Sequence, residues 1–420
     1  MIYLDYNATT PLCEAARRAM QPYFERHFGN PSSVHRAGRE TRAAIDDARD
    51  RLAAILRVKP HELIFTSGGT ESNNLALLGL ARSRAPNGKH LISNRAEHHA
   101  VLHPIEHLQK REGFAVTWLD VSEDGLIDPD ALDYAIRPDT TLVSIMTANN
   151  ETGVIQSMEE IAARCRTRGV LLHSDMVQSF GKLSVIPSEV EGSRGAILKV
   201  TRRDPSTPLR SARDDNGFLS LVDAASFAAH KFYGPKGAGL LYLRAGLPIE
   251  RIQFGGSHEG ERRPGTENVA AIAGMAAAAE YVLRDLPNEQ EREAQLRDDL
   301  WNGIAKIFSG AQQNGPGAPR LANTLNVSFP GFSSETLLMA LDLEGVCASS
   351  GSACMVGSVV ASHVLRAMGM PPERAASAIR FSLGKETTAG EIARTIEALD
   401  RILQRQKSRA AAKPEQHAFV

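Results

Sequence analysis

A chain of 420 residues, 42% hydrophobic and 23% charged, has the length for two domains and the composition of a globular protein with a sizeable core. Its formal net charge of −1, with basic residues scattered along the chain, gives no electrostatic basis for nucleic acid or an anionic membrane as the main partner. Four cysteines without a Cys-x-x-Cys pair indicate neither a disulfide framework nor a structural zinc site, and they fit a reducing, cytoplasmic setting.

The amino terminus lacks the basic-then-apolar pattern of a signal peptide, and the longest small-apolar stretch, residues 269–279, falls short of the ~20 residues a membrane span needs. Residues 41–56 predict an amphipathic helix with Ile45, Ala48, Leu52 and Ile55 on one face. Beyond Glu62, the runs Leu63-Ile64-Phe65, Leu91-Ile92, Leu142-Val143-Ser144-Ile145-Met146, Val170-Leu171-Leu172 and Leu240-Leu241-Tyr242 read as buried strands. Helical patterns alternate with them, which implies an α/β fold.

Chemistry-bearing residues follow those strands. After the first comes Thr66-Ser67-Gly68-Gly69-Thr70-Glu71-Ser72-Asn73-Asn74, either an anion cradle suited to phosphate or a structural helix cap. After the second comes Glu97-His98, an imidazole placed to stack on a ring and handle protons. His99, His103 and His107 recur every fourth residue, a ligand-like spacing, but Pro104 is expected to interrupt that helix and no metal is assigned. Asn149-Asn150-Glu151-Thr152-Gly153 adds amides or forms a structural turn. Asp175 and Gln178 follow the fourth strand, where open α/β sheets place ligand-binding groups, although Asp175 alone also reads as a helix cap.

Residues 188–216 break the alternation: acidic and basic side chains crowd around Pro205 and Pro208, as in a polar surface insertion. His230-Lys231 then puts a lysine at the end of an apolar run, which suggests a Schiff base. If that lysine carries pyridoxal phosphate, Asp175 would keep the pyridine nitrogen protonated. Past Gly255 the pattern predicts one long helical segment over 268–302, then strands at Thr324-Leu325-Asn326-Val327-Ser328-Phe329 and Ile379-Arg380-Phe381-Ser382-Leu383, a smaller α+β domain. Arg380, a cation in an apolar strand, needs an anion there: a substrate carboxylate or a buried Asp or Glu. Ser349-Ser350-Gly351-Ser352-Ala353-Cys354 sets a thiol on small residues, either a mobile nucleophile or an inert turn, whereas Cys13, Cys165 and Cys347 read as packing. The basic, alanine-rich stretch from about Gln404 reads as a frayed tail.

Together, Tyr3-Leu4-Asp5-Tyr6-Asn7-Ala8-Thr9-Thr10-Pro11, Gly29-Asn30-Pro31-Ser32-Ser33, the Thr66 to Asn74 run, Glu97-His98, Asn149-Asn150-Glu151, His230-Lys231, Arg263-Pro264-Gly265-Thr266-Glu267-Asn268 and Ser349 to Cys354 resemble the cysteine desulfurases of NifS and IscS type. These are class V aminotransferase-like, fold-type I pyridoxal 5′-phosphate enzymes. The resemblance implies a mostly parallel central sheet with helices on both faces in a large domain, residues 15–255. It implies a small domain from residues 1–14 and 256–404, with 405–420 as a disordered tail. It further implies that Lys231 holds the cofactor, Asp175 pairs with its ring nitrogen, Gln178 contacts the ring oxygen and His98 stacks on the ring. Gly69, Thr70 and His230 would hold the phosphate, with Thr266 reaching in from the neighbouring subunit of a homodimer. Asn150 would lie beside cofactor and substrate, Arg380 would bind the carboxylate of L-cysteine, and Cys354 would take its sulfur as a persulfide for an acceptor such as an iron–sulfur scaffold.

Two departures stand out. Where that family commonly has a serine two residues before the His of the His-Lys pair, this chain has Ala228, with Ser226 expected on a different strand phase. The 188–216 insertion lengthens the connection between Asp175 and Lys231. The same scaffold would also suit a selenocysteine lyase or cysteine sulfinate desulfinase, and the departures motivate a third reading, a catalytically weak sulfur-relay docking protein.

Overall fold

Short apolar strands send alternate side chains to opposite faces, and in this chain that alternation sets the layers. The computed structural model describes residues 1–183, 217–351 and 361–411; the 188–216 insertion, Cys354 and residues 412–420 lie outside them. The described strands are β1 (Ile2–Tyr3), β2 (Leu63–Thr66), β3 (His90–Asn94), β4 (Ala115–Leu119), β5 (Thr140–Ser144) and β6 (Leu171–Asp175), then β7 (Ala224–Ala228), β8 (Gly239–Leu243), β9 (Gln312–Gln313), β10 (Thr324–Ser328), β11 (Val346–Cys347) and β12 (Ala378–Ser382).

A seven-stranded sheet has the order β2-β8-β7-β6-β5-β3-β4. Only β8 runs against the rest, antiparallel to both β2 and β7, so the chain is α/β with a mostly parallel sheet. Leu63 and Phe65 of β2, with Leu240 and Tyr242 of β8, face the helices Glu14–Glu25, Arg36–Leu56, Met158–Arg168 and Val269–Leu283. Ile64, Leu241 and Leu243 face the opposite layer, the helices Gly69–Arg84 and His99–Arg111. A second core gathers around the antiparallel sheet β12-β10-β9 and the parallel pair β1-β11, under the helices Leu286–Ile307 and Ala389–Ala411.

Several expectations need correction. The helix predicted over 268–302 is two, Val269–Leu283 and Leu286–Ile307, because Pro287 opens the second where its missing N–H is tolerated. The first is small and largely apolar and buries Ala271, Ile272, Met275 and Ala278 in the large core, whereas Leu296, Leu300 and Ile304 of the second join the small core. At the amino terminus Ile2 and Leu4 belong to the small core, but Tyr6 and Cys13 to the large one.

Pro104 does not interrupt its helix; His99–Arg111 continues through it because Val101, Ile105 and Leu108 anchor one face in the core. His99 and His103 stack at 4.9 Å, and no group of three or more His, Cys, Asp or Glu that could hold a metal occurs among the described residues. The tail expected to fray at Gln404 is helical to Ala411, in keeping with its alanine, arginine and glutamine content. Ser226 and Ala228 stand two apart in β7 and so share a face, not opposite phases.

Candidate active site

The carboxyl edge of the large sheet gathers the expected groups, each from its own strand. β2 leads to Gly68 and the helix Gly69–Arg84, β3 to His98, β5 to Asn150, β6 ends on Asp175 and β7 leads into the turn Ala229–Lys231. An open α/β sheet binds ligands at this edge because helix starts and loop amides converge there.

Lys231 Nζ donates to the backbone oxygens of Asn7 at 2.9 Å and Ala8 at 2.7 Å. Asn7 is a buried hub: its carbonyl also receives Gln178 Nε2 at 3.0 Å, and its Nδ2 donates to Thr324 Oγ1 at 2.9 Å and to the Asn150 oxygen at 3.3 Å. One amide side chain and its backbone thereby join the lysine, β10 and the loop after β5. In the sequence this role is signalled only by a polar side chain between Tyr6 and Ala8.

Asp175 is buried, and both oxygens are held: Oδ2 accepts from Asn73 Nδ2 at 2.7 Å and Oδ1 from the Val177 N–H at 2.9 Å. The second bond has the form of the expected cap, so the carboxylate is capped and oriented at once. His98 Nδ1 accepts from the Ala100 N–H at 3.0 Å, capping its helix and leaving Nε2 as the donor nitrogen. Burial lowers the His98 pKa against the attraction of Asp175, and Lys231 lowers it further, so the ring is neutral near pH 7. Beside it, burial first and the Asp175 charge second push the Glu97 carboxyl up to about 8.

Arg380 reaches from β12 into the same region, its side chain 3% exposed. Nη2 lies 2.5 Å from Asp5 Oδ1 and Nη1 donates to the Asn150 backbone oxygen at 3.0 Å, so an acidic partner is present, though Asp5 is only partly buried. Arg380 Nε and Asn150 Oδ1 remain buried without a partner among the described residues, one donor and one acceptor. Ser349, at the start of the small-residue run, exchanges backbone bonds with Arg380. Glu151, fully buried, accepts from the Ser362 hydroxyl, and a Cβ on Gly351 would come within 2.8 Å of its Oε2. Both described flanks of residues 352–360 therefore meet one carboxyl group, a role for Glu151 that sequence reasoning missed.

Gly69 opens its helix with N–H groups that have no preceding carbonyl, and a Cβ there would stand 2.6 Å from Val177 Cγ2 and 3.5 Å from Ala228 Cβ. The start of that helix thus adjoins the turn after β6 and the end of β7, with Thr70 next to it. Burial, then the neighbouring Lys231 charge, takes the His230 pKa down to about 4, so this ring too is neutral. Thr266 is not brought to this cluster; it is exposed and lines an open hollow with Phe254, His258 and Pro264.

An amine on β7's turn, a held carboxylate at the end of β6, an amide cradle at a helix start and two unpartnered buried polar atoms together fit pyridoxal 5′-phosphate and an amino-acid substrate. The chain belongs to the class-V aminotransferase family, whose model matches residues 2–191 and 220–395. Curated relatives that it resembles over nearly its whole length include cysteine desulfurases. The IscS of Dictyoglomus turgidum is 42% identical over 414 residues, covering 99% of this chain and 97% of that protein. A NifS-like protein superposes with a TM-score of 0.83 at 34% identity, covering 96% of this chain and 99% of its own. SspA, solved in complex with cysteine, superposes with a TM-score of 0.75 at 31% identity, covering 91% of this chain and 99% of its own. Pyridoxal 5′-phosphate is the cofactor of this protein.

Proposed function

We infer that the chain is a cysteine desulfurase, taking sulfur from L-cysteine and releasing L-alanine. The observation that carries this is the meeting of Lys231, Asp175 and His98 at one sheet edge with Arg380 and Asn150 facing them, in a chain close to cysteine desulfurases along nearly its whole length. Lys231 is the residue that binds the cofactor, Asp175 pairs with its ring nitrogen, Gln178 with its ring oxygen, and His98 covers the ring. Gly69, Thr70 and His230 hold the phosphate. When bound, the cofactor supplies an electron sink for the substrate's α-carbon.

The protein's own groups do the rest. Arg380 and Asn150 hold the substrate carboxylate, and Lys231 Nζ receives and returns the α-proton. Cys354 takes the sulfur: L-cysteine and the Cys354 thiol give L-alanine and a Cys354 persulfide, which passes to an acceptor protein such as an iron–sulfur scaffold. A homodimer, with Thr266 completing the partner's phosphate site, is supported by the exposure of Thr266 and of the nearby Phe254, 83% exposed. No described helix is long and apolar enough to cross a membrane, and the thiols of Cys13, Cys165 and Cys347 are unpaired, which suits a cytoplasmic setting.

Alanine release and persulfide formation, measured on the holoenzyme with L-cysteine, test the reading. Cys354→Ala should lose nearly all of both while keeping the cofactor's visible absorbance; full turnover in that variant would overturn it.

A further inference from the structure

Lys182 carries no part of the chemistry derived above, yet it stands inside the site. In the turn after β6, its ammonium donates to Gln178 Oε1 at 2.6 Å and to Asn7 Oδ1 at 2.7 Å. An ammonium has donors and no acceptor, so it can face only the oxygen end of each amide. That contact agrees with, and reinforces, where the other ends point. Gln178 Nε2 is left to donate to the Asn7 carbonyl, the same oxygen that receives Lys231 Nζ, and Asn7 Nδ2 is left for Thr324 and Asn150. With no such cation, the Gln178 amide would be oriented by its Nε2 bond to the Asn7 carbonyl alone, whereas Asn7 Oδ1 would still receive Asn323 Nδ2 at 3.2 Å.

The surroundings mark this as a costly place for a lysine. Burial, and then the Lys231 charge, bring the Lys182 pKa down to about 7, with Glu293 opposing and Arg380 adding a little. Glu293, Glu289 and Lys385 face it across a cavity of about 20 Å³, which also touches Lys231 and has room for one water. Glu293 is itself pushed up to about 8 by burial, then by Glu289. Among the described residues no carboxylate bonds Lys182; two amide oxygens are what it holds.

We propose that Lys182 is a positioning residue for the reaction: it locks the Gln178 amide with its NH₂ group turned toward Lys231 Nζ, and sets a second positive charge beside that nitrogen. This rests on the reading of Lys231 as the cofactor-binding amine. A directed donor and a nearby cation both disfavour a proton on the Lys231 nitrogen, so their removal should raise its proton affinity once the cofactor is bound.

The test is a pH titration of the visible absorption of the purified holoenzyme. Lys182→Met should raise the midpoint by about one unit and Lys182→Arg should restore most of the shift. Gln178→Leu should move the midpoint the same way, and the double variant by less than the sum, because the two residues act as one unit. A Lys182→Met midpoint within about 0.2 unit of the parent, or shifts that add fully, would overturn the inference. Should Lys182→Met not fold, Lys182→Gln, which removes the charge and keeps an N–H donor, carries the same readouts. A parent protein that shows no visible cofactor absorption after loading with pyridoxal phosphate would overturn the reading of Lys231 itself, a result distinct from an unmoved midpoint.

Discussion

Arg380 Nη2 lies 2.5 Å from Asp5 Oδ1, so the cation proposed to receive the substrate carboxylate is already half-neutralised by a residue next to β1. The pair is buried on the arginine side, where a planar guanidinium can hold Asp5 and the Asn150 oxygen and still present Nε. Lysine cannot do all three. Arg380→Lys is expected to raise KM for L-cysteine by about tenfold or more with a smaller change in kcat, read from steady-state kinetics. An unchanged KM would remove Arg380 from substrate binding.

Gly351 has φ +85°, a left-handed conformation, and its missing Cβ leaves room for the Glu151 carboxyl, which also receives the Ser362 hydroxyl. Gly351→Ala meets both the conformational penalty and the carboxyl, a cost of about 1–3 kcal/mol at that turn. Since Cys354 lies between Gly351 and Ser362 in the chain, persulfide formation should slow by about tenfold. Cofactor absorbance should stay as in the parent protein, because no cofactor-binding residue is touched. A stopped-flow measurement giving the parental rate would disconnect Glu151 from the thiol's delivery.

What the sequence made legible follows from how local each signal is. The strands β2, β3, β5, β6 and β8 each carry a run of two or more consecutive apolar residues, and the groups after them fall at the sheet's carboxyl edge by topology alone. β7, Ala224-Ala225-Ser226-Phe227-Ala228, is legible as the apolar run before His230-Lys231, but its small side chains leave its face assignment ambiguous, although it is buried throughout. Asn7, Lys182 and Glu151 escaped notice because their roles are defined by partners more than a hundred residues away in most cases, such as Asn7 with Thr324. The link between Lys182 and Gln178 is only one helical turn in sequence, but nothing local says that both side chains point inward.

Ala228 stands two residues before His230, and β7 puts it beside the Gly69 helix start, 3.5 Å from where a Gly69 Cβ would be. A hydroxyl at this position would face the amide cradle. Ala228→Ser is expected to strengthen pyridoxal phosphate binding by about 1 kcal/mol, roughly fivefold in Kd, through a charge-assisted bond. Cofactor release followed by absorbance after dilution should be correspondingly slower; equal rates would mean that another donor already fills that role.

His173 ties the acid stability of the protein to the centre of its sheet. Fully buried in β6, its Nδ1 meets Ser144 Oγ at 2.9 Å and its Nε2 meets Ser226 Oγ at 3.1 Å, linking β5, β6 and β7. Burial takes its pKa from 6.5 down to about 3. The unfolded chain therefore binds the proton more readily than the folded one, so the contribution to stability is full above about 6.5 and is lost progressively as the pH falls toward 3. His173→Gln keeps a donor and an acceptor but cannot titrate. It should lower the urea midpoint at pH 7, by an amount equivalent to about 1–3 kcal/mol from imperfect replacement of the two serine bonds, while flattening the decline between pH 6.5 and 4. His98, His99 and His230 are lowered in the same direction by burial, so part of the acid limb should remain in the variant. Urea midpoints across that pH range decide it: parallel curves for the two proteins would show that His173 is not the group whose protonation opens the sheet.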